Sequence, residues 1–144
     1  MIKHALAVIN GPNLNLLGLR EPHLYGNKTL AIICADLQQE FISQAELTFF
    51  QSNHEGAIID FIHACLGKVS GMVINPGAYA HTSIAIRDAI AATAIPCVEV
   101  HLSNIFAREN FRQESIVASS CLGLICGFGA QSYSLGVRAL LPHI

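Results

Sequence analysis

The sequence predicts an α/β fold: an open, doubly wound sheet of five parallel strands in the order 2-1-3-4-5. Three observations point there. Five short apolar runs, at 5–9, 47–50, 71–74, 96–100 and 122–126, alternate with segments of helical periodicity. Several of these runs are nearly continuous rather than alternating, as expected of parallel strands covered on both faces. A chain of 144 residues has room for one domain spanning 1–144, and within one domain each parallel return needs a right-handed helical crossover.

The elements follow in order. Residues 5–9 form the first strand, and a long polar loop runs from Asn10 to Gly26. A helix over 29–44 places Leu30, Ile33, Cys34, Leu37 and Phe41 on one stripe, with Thr29 as its N-cap. The strand at 47–50 leads to a helix at 55–66, the strand at 71–74 to a helix at 83–92, and the strands at 96–100 and 122–126 follow. A last helix covers about 130–141 and ends before Pro142. The flavodoxin-like order is the simplest arrangement of such units. In such sheets ligands bind outside the carboxyl ends of the strands, where the winding direction reverses between strands 1 and 3.

Composition narrows the partners. Charged residues are 12% of the chain and hydrophobic ones 52%, against roughly 25% charged in ordinary globular proteins. That is not the composition of a disordered chain. Eight Lys plus Arg against ten Asp plus Glu leave a net charge of −2, so nucleic acid and acidic membrane surfaces are not expected partners. A surface so poor in charge is expected to be buried against further copies of the chain, making a homo-oligomer. No apolar stretch reaches the roughly 18 to 20 residues of a membrane span, and the apolar run after Lys3 and His4 is too short for a signal peptide core. Five cysteines without CxxC spacing read as buried free thiols rather than disulfides or metal ligands. A cytoplasmic protein is expected.

The loops that follow the strands carry the chemistry. The segment from Asn10 to Gly26 holds Asn13, Arg20 and Tyr25 on a frame punctuated by Gly and Pro; loops of this length are usually binding segments, although turn-forming asparagines would read the same way. Asn75-Pro-Gly-Ala-Tyr-Ala-His-Thr-Ser runs into a helix, with Asn75 and His81 as donors toward a ligand and Thr82 or Ser83 as the cap. After strand 4, alternation turns Glu99 and His101 to one face, so the carboxylate could orient the imidazole as a general acid or base requires. Arg108 and Arg112 would share a face if their stretch is helical, inviting a substrate carboxylate or, alternatively, Glu109 or Glu114. His4, His63 and His143 read as structural or exposed, while His23 and His54 lie in loops without an evident partner.

No metal-ligand spacing, GxGxxG or P-loop is present. A tyrosine beside arginines is a candidate base, because positive neighbours favour a phenolate. A histidine held by a glutamate is a candidate acid, and asparagine N–H groups could stabilise an enolate. Such a set, without metal or cofactor, suits removal of a proton α to a carbonyl followed by loss of water.

The runs Asn10-Gly-Pro-Asn-Leu-Asn with Arg20-Glu-Pro-His-Leu-Tyr-Gly, Gln51-Ser-Asn-His-Glu-Gly, Asn75-Pro-Gly-Ala-Tyr-Ala-His-Thr-Ser and Glu99-Val-His-Leu-Ser-Asn resemble type II 3-dehydroquinate dehydratase, in that family's order and over almost the whole chain. The resemblance implies a hydro-lyase of the shikimate pathway and aromatic amino-acid biosynthesis, needing no cofactor and no metal. It would convert 3-dehydroquinate to 3-dehydroshikimate by anti elimination through an enolate. It also implies a dodecamer built as a tetramer of trimers. Tyr25 matches the proton-abstracting tyrosine, Arg20 the arginine that activates it from a closing loop, His101 the acid, Glu99 its support and Asn13 the group at the enolate or its ordered water. Asn75, His81, Leu102, Ser103, Arg108 and Arg112 match substrate-binding or active-site positions, and Asp88 one that reaches a neighbouring subunit's site. Two other readings compete: a metal-dependent hydrolase using His81, His101 and Glu99, and a non-catalytic flavodoxin-like binding module, which leaves the loop of Arg20 and Tyr25 without a purpose. A Schiff-base route is disfavoured because Lys3, Lys28 and Lys68 are not at strand carboxyl ends.

Overall fold

In the computed structural model, which describes residues 3–19 and 21–144, the sheet is five-stranded with the order β2-β1-β3-β4-β5. The strands are β1 (His4–Asn10), β2 (Ala45–Gln51), β3 (Gly71–Asn75), β4 (Cys97–His101) and β5 (Gly123–Cys126), and every pairing is parallel. The strand runs predicted from sequence thus hold to within one or two residues at each end.

Alternation along the strands sorts the core into two layers. Leu6 and Val8 of β1 join Val73, Val98 and Val100 on one face, packed with Leu37 and Phe41 from the region of α2 (Leu30–Glu40) and Val137 and Leu140 of α5 (Gln131–Leu140). Ala7 and Ile9 join Met72 and Ile74 on the other, under Ile58 and Ile62 of α3 (Glu55–Ala64) and Ile86 and Ile90 of α4 (Ile84–Thr93). The central strands β1, β3 and β4 are covered on both faces, which is why their sequences read as continuous apolar runs. At the edge, β5 is only half-buried.

Local signals set the helix starts. Thr29 Oγ1 accepts from the Ile32 amide at 3.3 Å, and Ser83 Oγ accepts from the Ile86 amide at 2.9 Å, each satisfying an amide that the first turn leaves without a helical partner. The first long helix is shorter than its periodicity suggests: α2 stops at Glu40, and Phe41 begins a turn that delivers the chain to β2. The stretch 10–26 is not the featureless loop its composition implies. It contains a 3₁₀ turn at Leu14–Leu16 and a single helical turn, α1 (Pro22–Tyr25), anchored by the buried Leu14 and Leu17.

Two loops meet where the winding reverses. Asn10 of β1 sits in register with Asn75 of β3, and the Gly11 amide donates to the Asn75 carbonyl at 2.8 Å. A Cβ on Gly11 would fall 2.3 Å from the Pro76 carbonyl oxygen, so this approach of backbone to backbone requires glycine. No helix among the described residues is long and apolar enough to cross a membrane.

Candidate active site

The cleft opens at the carboxyl ends of β1, β3 and β4, as the topology demands. From β4, Glu99 and His101 project to the same side, and Glu99 Oε2 lies 2.6 Å from His101 Nε2. Glu99 is fully buried and the His101 side chain nearly so, at 0% and 7% exposure. A buried carboxylate without partners would be costly. This one has two: His101, and Ser115, whose Oγ lies 2.9 and 2.8 Å from the two carboxylate oxygens. A carboxylate accepts, so Nε2 carries a hydrogen and the orientation of the ring is set.

His81, at the end of the 3₁₀ turn Gly77–His81, faces this pair; the two imidazole rings lie 6.2 Å apart between centroids and 22° from parallel. Its Nδ1 is 2.7 Å from the Glu114 carbonyl oxygen. A carbonyl only accepts, so Nδ1 holds the hydrogen and, in the neutral ring, Nε2 is left as an acceptor.

From β3, Asn75 is oriented by two bonds. Its Oδ1 accepts from the Gly77 amide at 3.2 Å, and its Nδ2 donates to Tyr133 Oη at 3.0 Å. The Tyr133 hydroxyl in turn donates to Asn10 Oδ1 at 2.5 Å. Tyr133 on α5 is completely buried, and that burial pushes its phenol well above the ordinary tyrosine range, so it stays a neutral donor.

The segment after β1 brings Tyr25 to the same cleft. Arg108 Nη1 donates to Tyr25 Oη at 2.7 Å and lies 3.4 Å from Ser103 Oγ, with its guanidinium carbon 5.3 Å from the phenol ring centre. Guanidinium has no acceptor, so the phenolic oxygen accepts in this bond. Asn13 adopts the left-handed conformation at φ 69°, and its amide donates to Asn53 Oδ1 at 3.0 Å.

Asn13, Tyr25, Asn75, His81, His101, Leu102, Ser103, Arg108 and Arg112 line one cleft, with Glu99 behind His101. Arg20, the remaining residue expected near Tyr25, lies outside the described residues. Asp88 does not line this cleft: it is exposed on α4, where Arg87 Nη1 meets it at 3.1 Å. Arg108 and Arg112 do not share a helical face. Two 3₁₀ turns, Ile105–Ala107 and Asn110–Arg112, are separated by extended backbone at Arg108, which sends Arg108 to Tyr25 while Arg112 Nε binds Glu109 Oε2 at 2.7 Å. Glu109 is held below the ordinary carboxylate range by its own backbone amide first and by Arg112 and Arg108 after it. All five cysteines are free, but only Cys65 and Cys97 are buried; Cys34, Cys121 and Cys126 are partly exposed. The described residues contain no group of three or more His, Cys, Asp or Glu side chains arranged to hold a metal ion.

Ser115 and Tyr133 are the site residues that sequence reasoning did not identify. Neither stands in a strand-end motif: Ser115 arrives from an irregular segment after β4 and Tyr133 from the last helix, 58 residues beyond the asparagine it orients. Neither lines the cleft itself; only the folded chain brings them to the residues that do or that stand behind these, Tyr133 to Asn75 and Ser115 to Glu99.

The model of the family described as dehydroquinase class II matches residues 4–141. A relative from Synechococcus sp. (strain CC9605), named 3-dehydroquinate dehydratase, is 56% identical over 138 residues, covering 95% of this chain and 94% of its own. One of the same name from Acaryochloris marina is 54% identical, covering 100% and 97%. The crystal structure of a type II dehydroquinase from Butyrivibrio crossotus superposes with a TM-score of 0.94 at 44% identity, covering 96% of this chain and 97% of its own. With the sheet order, the cleft and this match over nearly its whole length, the chain belongs to the class II dehydroquinase family.

Proposed function

We propose that the chain dehydrates 3-dehydroquinate to 3-dehydroshikimate, acting as a hydro-lyase with Tyr25 as base and His101 as acid. The observation that carries this reading is the pairing of two devices in one cleft: a tyrosine oxygen that accepts from Arg108, and a histidine backed by a buried glutamate. Family membership and the name shared by its relatives support the choice of substrate.

The chemistry runs in two steps. Tyr25 Oη takes a proton from the carbon α to the ketone, and the electron pair moves into an enolate. Arg108 donates to the oxygen that accepts the proton, and Arg20 is assigned the same activating role. Asn13 and water held near it stabilise the enolate oxygen. The enolate then reforms the ketone and expels the β-hydroxyl from the opposite face of the ring, while His101 supplies the proton that makes it water. As an imidazolium His101 carries hydrogens on both nitrogens, Nε2–H to Glu99 and Nδ1–H to the leaving group. Asn75, His81, Leu102, Ser103, Arg108 and Arg112 bind the substrate. No step calls for a metal or cofactor.

The working form is a homododecamer, a tetramer of trimers, in which Asp88 serves the site of a neighbouring subunit. Its position outside the cleft of its own chain is compatible with this. The five free thiols suit a reducing cytoplasm, and the reaction is a step of the shikimate pathway toward aromatic amino acids.

The test is direct: 3-dehydroquinate is added and the ultraviolet absorbance of the conjugated enone product followed. Wild type turns over, while Tyr25→Phe and His101→Ala each lose about 10²- to 10⁴-fold in kcat. A fully active Tyr25→Phe would overturn its role as base.

A further inference from the structure

We propose that Ser115 is a positioning residue for the reaction, its hydroxyl holding the Glu99 carboxylate in the ionised form and orientation that keep His101 aimed into the cleft. This rests on the reading of His101 as the acid. Ser115 belongs to no strand-end motif, yet its turn touches both histidine-bearing elements at once. The Glu114 carbonyl meets His81 Nδ1 at 2.7 Å, the Ser115 hydroxyl meets both Glu99 oxygens, and the Ile116 amide donates to the Ala80 carbonyl at 2.8 Å. Three consecutive residues thus tie the end of β4 to the turn that carries His81.

The direction of the hydrogen bond follows from counting. Ser115 Oγ accepts from the Ala118 amide at 3.1 Å, and of the acceptors within reach of its single hydrogen the charged Glu99 oxygens, at 2.9 and 2.8 Å, stand closer than the neutral Ala80 carbonyl at 3.5 Å, so the hydrogen goes to the carboxylate. Among the described residues, the hydrogen-bond partners of the Glu99 side chain are His101 and Ser115. Glu99 Oε2 is shared by both, whereas Oε1 has Ser115 alone. At a position with no solvent exposure, one neutral donor matters: it stabilises the charged carboxylate without neutralising it, as a lysine or arginine would. Without it the carboxylate could rotate about its last torsion and release Nε2.

The sign of the pH effect can be worked out for the pair as a unit. A hydroxyl donor stabilises every state in which Glu99 is ionised, and most of all the state in which His101 is neutral and leaves that charge uncompensated. Removing the hydroxyl therefore makes the pair hold its protons more tightly in both steps, and both apparent pKa values rise. The other titratable groups facing the pair are His81 across the cleft, Tyr25, Arg108 and Arg112 on its walls, Cys97 earlier on β4, and Cys126, which pairs with His101 in register from β5. All of them are retained when only Ser115 is changed.

The experiment is an NMR titration of the full-length protein labelled with ¹⁵N-histidine, with the His101 signals assigned by their loss in His101→Ala. It is run on wild type, Ser115→Ala and Ser115→Thr, beside the pH profile of kcat on 3-dehydroquinate. In Ser115→Ala the imidazole titration moves upward by about half a pH unit or more, the alkaline limb of the kcat profile, where His101 loses its proton, moves the same way, and kcat falls about tenfold. Ser115→Thr, which retains the hydroxyl, titrates like wild type. Ser115→Cys, whose thiol is a weak donor of similar shape, moves in the same direction and carries the test should the alanine variant not fold. A His101 titration in folded Ser115→Ala or Ser115→Cys that matches wild type overturns the proposal, whatever happens to the rate. A wild-type protein that does not dehydrate 3-dehydroquinate overturns the functional reading instead, and the histidine titration still decides on Ser115.

Discussion

The bond from Arg108 to Tyr25 has its polarity fixed by donor chemistry alone. Because guanidinium has only donors, the 2.7 Å contact makes the phenolic oxygen an acceptor, the polarity a base needs. Charge-assisted bonds of this kind are worth about 1.5–3 kcal/mol, so Arg108→Ala is expected to cost roughly 10- to 100-fold in kcat, as measured by steady-state kinetics. An unchanged kcat would remove Arg108 from the machinery around Tyr25. Asn75 offers a second case. Tyr133→Phe deletes the hydroxyl between Asn75 and Asn10 and leaves both buried amides short of a partner. The expected result is a loss of about 1–3 kcal/mol of stability in urea unfolding together with weaker substrate binding. Both effects follow from a residue that never touches the cleft.

At the scale of elements, the site depends on how closely loops and helices approach. Gly11→Ala would drive a methyl group into the Pro76 carbonyl, an obstacle made of backbone that cannot rotate away. It is expected to destabilise the protein by about 1–3 kcal/mol or more and to separate the loops carrying Asn13 and Asn75; a denaturation midpoint equal to wild type would contradict this. On the far side of the sheet, α2 is tied to α5 through Glu40 Oε1, which accepts from Ser134 Oγ at 2.6 Å and Arg138 Nη2 at 2.7 Å. The Ser134 bond first and Arg138 second lower the Glu40 carboxyl below its ordinary value near 4.5. A carboxyl that titrates lower when folded contributes stability above its unfolded value and loses it as pH falls through the folded one. Thermal unfolding should therefore show wild type losing slightly more stability than Glu40→Gln between neutral pH and pH values below that range, and the difference stays small because the pair is largely exposed.

For the molecule as a whole, charge remains the telling quantity. With 12% charged residues, the single chain leaves Leu19, Ile84, Phe106, Phe111, Leu122 and Phe128 more than half exposed, and Asp88 stands on α4 away from its own cleft. Twelve copies of a 15.5 kDa chain are the expected species in light scattering after size exclusion; a monomer would contradict the assembly. If Asp88 serves a neighbour, co-expressing Tyr25→Phe with Asp88→Asn should restore activity that neither variant has alone, because mixed neighbours contain intact composite sites. No restoration would confine Asp88 to its own chain.

Read alone, the sequence determined the doubly wound sheet and its strand order, and it named nine of the side chains that line the cleft. Covered parallel strands write continuous apolar runs, and the motifs that follow them must stand at their carboxyl ends. It also determined that Glu99 and His101 share a face, since the period of a strand is fixed at two residues. The route of each arginine was not legible, because a four-residue spacing means one thing in a helix and another across two 3₁₀ turns. The tertiary structure alone decided that Arg108 goes to Tyr25, that Tyr133 orients Asn75 and that Ser115 holds Glu99. These are contacts between elements distant in the chain, and side-chain hydrogen bonds of that kind leave no periodicity behind them; they exist only once packing has brought their donors and acceptors within 3 Å or so of one another.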